Sequence, residues 1–135
     1  MRRSRLEQAV EIAARAGFVM LATVDEDGTP HMTAAGKIEV ASRDSLAVTE
    51  WFCPTTVANL RRHSPLAILA WDRQTDSGLQ LYGTCASMHD EAVFNGLAPK
   101  VEKEPPPPQA REKVLVNIVH TTDFHKAPHA DVELE

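Results

Sequence analysis

Long apolar runs, paired cysteines and clustered cations are all scarce in this sequence, and each shortage excludes a class of protein. No apolar stretch approaches the roughly 20 residues that a membrane-spanning helix needs, so no membrane partner is expected. Cys53 and Cys85 form no CxxC pair and no disulfide framework, which fits structural thiols in a reduced compartment. Lys and Arg number 14 against 19 Asp and Glu, a net charge of -5, which argues against nucleic acid as a partner because phosphate contacts need clustered cations. Arg61-Arg62-His63 is the one dense basic spot. No HExxH pair, Walker loop, GxGxxG or nucleophile elbow occurs, so any chemistry must come from a bound cofactor. His31, His63, His89, His120, His125 and His129 are scattered and do not form such a pair, so a designed metal site is not expected.

What remains is an ordinary globular composition over 135 residues, enough for a single domain spanning 1–135 with an N-terminal helical segment (1–17) and a polar tail (121–135). The basic opening Met1-Arg2-Arg3-Ser4-Arg5 runs into the acidic, helix-like Leu6-Glu7-Gln8-Ala9-Val10-Glu11 rather than into an apolar signal core. A cytoplasmic location is therefore expected. Over residues 4–16, Leu6, Ala9, Val10, Ile12 and Ala13 recur near the helical period and Gly17 supplies a stop.

Residues 18–24 form a seven-residue apolar run too short for another helix, and Asp25-Glu26-Asp27-Gly28 closes it as a tight hairpin with Gly28 suited to positive φ. A return strand over 29–40 and a third over 45–49 complete an expected three-stranded meander. Thr55 or Thr56 is placed to cap a short helix that ends at His63-Ser64-Pro65. Residues 66–71 and 79–88 read as strands four and five, 90–98 as a short helix, Pro105 to Pro108 as an extended spacer, and 114–119 as the last strand. Six short strands with flanking helices predict a mainly β, antiparallel barrel.

Three phrases occur in order: Thr23-Val24-Asp25-Glu26-Asp27-Gly28-Thr29-Pro30-His31, then Thr56-Val57-Ala58-Asn59-Leu60 before Pro65-Leu66-Ala67-Ile68-Leu69, and finally Leu81-Tyr82-Gly83-Thr84-Cys85-Ala86. In order and spacing they resemble the pyridoxamine 5′-phosphate oxidase-like split barrels. The resemblance implies a six-stranded FMN-binding split barrel and a homodimer with FMN in two clefts at the interface. It implies either a flavin-dependent oxidoreductase acting on a small molecule, a non-catalytic carrier or sensor of a flavin or haem-type ligand, or a dimer without cofactor.

Residue by residue, the resemblance lays Thr33, Ala34 and Ala35 along the isoalloxazine and ribityl chain, brings Val48 and Thr49 near the cofactor, and puts Thr55, Thr56 and Asn59 at the phosphate. Hydroxyls and N–H groups at a helix start do suit an anion, although simple capping explains the threonines equally well. Many flavin-binding members carry Arg or Lys where this chain has Pro54-Thr55, and Thr33 stands in place of an Arg of the oxidase proper. Lys37, Arg61 and Arg62 are left as candidate charges for the phosphate, against the bland reading that the two arginines meet only water. Trp51 and Trp71 sit at strand ends, where large aromatics more often fill core or interface than stack on a ring.

Overall fold

The structure, a computed structural model, describes residues 4–49, 53–90 and 112–123. Its elements in chain order are α1 (Arg5–Ala16), β1 (Val19–Val24), β2 (Pro30–Ala35), β3 (Lys37–Ser42), β4 (Ser45–Thr49), α2 (Pro54–Arg62), β5 (Pro65–Asp72), β6 (Ser77–Asp90) and β7 (Glu112–Asp123). Seven strands among the described residues, all paired antiparallel, form one sheet in the order β2-β1-β5-β6-β7-β4-β3. No helix among them is long and apolar enough to cross a membrane.

That order forces curvature. The sheet edges are β2 and β3, yet only Gly36 separates them in sequence. Strands about 4.8 Å apart would hold the edges of a flat seven-stranded sheet roughly 29 Å from each other. A single intervening residue reaches about 7 Å. The sheet therefore curls into a barrel left open at the β2/β3 seam, the split barrel that the sequence predicts. The strand count is seven rather than six, because the chain bends at Gly36 and the expected return strand over 29–40 becomes two strands with different partners, β1 and β4. The expected meander is corrected accordingly: it separates into two hairpins at opposite edges of the sheet.

Local chemistry explains the elements. Ser4 Oγ accepts from the Glu7 N–H at 3.1 Å while Glu7 Oε1 accepts from the Ser4 N–H at 3.1 Å, a capping box that starts α1. Gly17 at φ 92° ends it in the left-handed conformation. At the first hairpin Gly28 also has positive φ, and its N–H donates to the Asp25 carbonyl at 2.9 Å. The last strand extends past its expected limits to Asp123, because Thr121 and Thr122 pair with Leu81 and Gln80 and so leave the predicted tail. Asp90 ends β6 rather than opening a helix. The rest of that helix, the Pro105 to Pro108 spacer, Trp51, His125 and His129 lie outside the described residues.

The core is a set of inward strand residues, Leu21, Ile38, Leu46, Ile68, Leu79, Leu81, Val114 and Val116, on which α1 lays Leu6, Ala9, Ile12 and Ala13. Two ion pairs fix how α1 sits: Arg15 Nε donates to Asp72 Oδ2 at 3.0 Å, and Arg5 pairs with Asp123. Half-buried Cys85 belongs to this framework, its thiol pushed up by burial and so kept protonated.

The Arg15 hydrogen bond holds the Asp72 carboxyl below its ordinary value of 3.8, helped by the Thr75 hydroxyl and the Gln74 N–H and opposed by burial. A depressed folded value means stability that is present above about pH 4 and lost as pH falls through the lower, folded value. Urea unfolding against pH should show that acid loss in the parent, and Asp72→Asn should shrink it. A second test concerns Gly83, where a Cβ would lie 2.2 Å from the Asn117 carbonyl oxygen and 2.9 Å from Val116 Cγ1. Gly83→Ala must push β6 from β7 and should cost about 2–3 kcal/mol in the same assay. Gly28→Ala, with nothing within 4 Å of the added carbon, should cost about 1 kcal/mol from its φ alone.

Candidate functional site

The residues expected to meet a ligand fall into two groups beside the seam. In the first, Lys37 pairs with Thr49 and Ile38 with Val48 across the β3/β4 ladder, two and three residues beyond Ala35 at the end of β2. Ala35 and Val48 are buried core side chains, so their main chain is what a ligand would meet, whereas Ala34 is exposed and Thr33 and Thr49 are half-buried. As an edge strand, β2 has one side of its main chain without a ladder partner. Lys37 is exposed and turned to Glu39, its Nζ 3.2 Å from Oε2.

The second group is the start of α2. The helix begins two residues earlier than a cap at Thr55 would put it: Cys53 is the N-cap and Pro54 the first helical residue, a position suited to proline's fixed φ and missing N–H. This corrects the expected capping by Thr55 or Thr56, which stand at the second and third helical positions. Cys53 makes no side-chain cap, so the N–H groups of Thr55 and Thr56 have no partner within the helix, and Val57 is the first to close, on the Cys53 carbonyl at 3.1 Å. Thr55 is exposed. Thr56 is 0% exposed, and its hydroxyl is the one buried side-chain polar atom without a hydrogen-bond partner among the described residues.

One contact joins the groups: Thr33 Oγ1 and Cys53 Sγ lie 2.9 Å apart and share a hydrogen bond, tying β2 to the helix start. Sequence reasoning missed Cys53 in this role. A cysteine just before Pro-Thr-Thr carries no signal of its own, and its partner lies 20 residues away.

Asn59 proves to be a clamp. It is buried at 3% exposure, and its Nδ2 donates to Thr23 Oγ1 at 3.0 Å and to Asp25 Oδ1 at 2.9 Å, while its Oδ1 accepts from Arg62 at 2.6 Å. Arg62 also donates to the Val24 carbonyl at 3.4 Å. All hydrogen-bonding capacity shown for Asn59 thus goes to pinning the β1–β2 hairpin against α2. Arg61 is exposed near the far end of the helix. Between hairpin and helix lies a cleft of about 630 Å³, with Asp25, Glu26 and Asp27 on one wall and Thr55, Asn59 and Arg62 on the other. Hydrogen bonds from the Thr29 hydroxyl and N–H hold the Asp27 carboxyl below its ordinary value.

The outer face of the barrel is apolar where these elements meet it. Cross-strand pairing sets Met32, Ala22, Ala67, Tyr82 and His120 in one row over β2, β1, β5, β6 and β7. Met32 is 59% exposed and Tyr82 37%, and the Tyr82 ring meets His120 edge-on at 4.6 Å. Trp71 is engaged elsewhere, its Nε1 donating to Asp76 Oδ1 at 3.0 Å in the β5–β6 turn. Among the described residues no three His, Cys, Asp or Glu side chains group as a metal site.

Comparison with known proteins finds that residues 6–122 match the family model described as pyridoxamine 5′-phosphate oxidase. No curated protein matches. Among solved structures, the chain is similar to HupZ of Group A Streptococcus, with 16% identity, a TM-score of 0.67, and 98% of this chain and 99% of that one covered. It is similar to an FMN-binding protein of Syntrophomonas wolfei, with 16% identity, a TM-score of 0.62, and 87% and 86% covered. An F420 reductase shares 20% identity at a TM-score of 0.62, with 90% and 98% covered. At these identities the structural likeness speaks to fold.

The clamp makes a direct prediction. Asn59→Leu keeps the volume but strands the Thr23 hydroxyl and removes the tie to Asp25, so it should cost about 2–3 kcal/mol in urea unfolding. Hydrogen exchange should rise most in the β1–β2 hairpin.

Proposed function

The chain belongs to the pyridoxamine 5′-phosphate oxidase family, and from that premise we propose that it is a cytoplasmic, homodimeric FMN-binding protein acting as an oxidoreductase on a small molecule. The observation that carries the reading is the start of α2: an uncapped helix with a buried, unpartnered hydroxyl at Thr56, tied through Cys53 and Thr33 to an edge strand. A buried hydroxyl without a partner costs stability unless a bound group completes it.

The residues present fit a flavin unevenly. Small side chains at Thr33, Ala34 and Thr49, the two threonines half-buried and the alanine exposed, with unpaired main chain along β2, suit a flat ring and its polyol chain. At the phosphate end the helix offers hydrogen-bond donors from Thr55 and Thr56, and among the described residues the cleft beside it is lined by one cation, Arg62. Bound flavin would supply hydride or electron acceptance, and the protein's part is to bind and orient it and to exclude water. The dimer reading draws on the outer row led by Met32 and Tyr82, an apolar surface that a second copy would cover. Met32 and Ala34 lie on the strand that would also line the ring, so cofactor and partner would share one cleft.

The test is the visible spectrum of the purified protein before and after incubation with FMN and desalting, combined with sedimentation. Retained yellow absorbance on a dimer is expected, followed by bleaching with NAD(P)H. Retention without bleaching would favour a carrier, and a colourless monomer would overturn the reading. Thr56→Val should leave the unliganded fold as stable as the parent or slightly more so, while weakening FMN about fivefold, the equivalent of about 1 kcal/mol.

A further inference from the structure

The charges around the start of α2 run against a phosphate. The cleft there presents Asp25, Glu26 and Asp27 beside Thr55, and among its lining residues Arg62 is the only cation. One guanidinium nitrogen of Arg62 donates to Asn59 Oδ1 at 2.6 Å and to the Val24 carbonyl at 3.4 Å, which holds the hairpin and leaves a single positive charge against the three carboxylates. Lys37 faces Glu39 at 3.2 Å on β3, and Arg61 lies exposed near the opposite end of the helix. Pro54 removes one of the N–H donors that a helix start normally offers. The other donors at the helix start are neutral: two main-chain N–H groups, the Thr55 hydroxyl that lines the cleft, and the unpartnered Thr56 hydroxyl buried behind its lining. Such donors serve a terminal hydroxyl as well as a phosphate oxygen, whereas a dianion brought to this cleft meets three carboxylates against the one cation that lines it among the described residues.

We infer that this site selects flavins by ring and polyol chain and not by a 5′-phosphate, so that unphosphorylated riboflavin binds at least as tightly as FMN. The inference rests on the flavin-binding reading and adds the chemistry of the ligand's far end. It carries an electrostatic sign opposite to that of a clamped phosphate site. Salt screens repulsion just as it screens attraction, and the Debye length shrinks from about 10 Å at 0.1 M to about 3 Å at 1 M. Added salt should therefore tighten FMN and leave riboflavin unmoved.

The experiment is a pair of titrations, following quenching of flavin fluorescence by the full chain with riboflavin and with FMN, each at low and high sodium chloride. The expected result is a riboflavin Kd equal to or below that of FMN at low salt, with FMN tightening by about threefold or more at high salt. Glu26→Gln combined with Asp27→Asn, which removes two charges without changing shape, should move the ratio of affinities toward FMN by about tenfold. FMN bound tenfold tighter than riboflavin by the parent chain, or weakened by salt, would overturn the inference while leaving the flavin reading intact. Failure of both flavins to bind would overturn the flavin reading itself, and the inference with it.

Discussion

Two strands separated by one residue cannot form a ladder with each other, and everything about this barrel follows from where β2 and β3 go instead. Each pairs with its other sequence neighbour, β1 or β4, and the two hairpins end up as opposite edges of a single sheet. Gly36 then acts as a covalent staple between those edges, so the sheet has to roll and α1 can bury its apolar stripe against the curved wall. The same constraint locates the candidate site. A seam is where main-chain donors and acceptors lack ladder partners, and the side chains bearing hydroxyls nearest it, Thr33 and Thr49, flank the staple.

Helix α2 plays two parts whose demands differ. Its buried side, through Asn59, is committed to holding the β1–β2 hairpin by a network of hydrogen bonds to Thr23, Asp25 and Arg62. Its start keeps donors in reserve. Because the only cation lining the cleft among the described residues also serves the first task, the donors at the helix start itself are neutral groups. Charge here builds the wall of the site rather than gripping what enters it.

Much of the fold was legible in the sequence because local signals and global packing agree. Ser4, the apolar stripe of α1 and Gly17 delimit a helix that forms as read, and the Asp25-Glu26-Asp27-Gly28 turn closes as its glycine requires. The break at Gly36 was not legible, since a glycine inside an alternating strand looks the same whether the two halves share a partner or not. The helix start lies two residues before the cap expected at Thr55 because Pro54 outweighs the capping preference of threonine. At the site, residue types were readable but their allegiances were not. Asn59 has the chemistry of a ligand-binding residue and spends it on Thr23 and Asp25, 36 and 34 positions away. Likewise Lys37 is engaged with Glu39, a pairing that only the strand geometry reveals.

The position of β7 has a consequence for synthesis. The last described strand is an interior one, inserted between β6 and β4. Until it emerges from the ribosome, the β3–β4 hairpin has no ladder to the rest of the sheet, and the edges of both β4 and β6 stand bare. A nascent chain can build β1, β2, β5 and β6 by pairings already available, but it cannot zip the second hairpin into place before residues 112–123 arrive. The barrel is therefore completed only once residues 112–123 have been translated, and its unfinished form is the one most exposed to strand exchange with a neighbour on the same message.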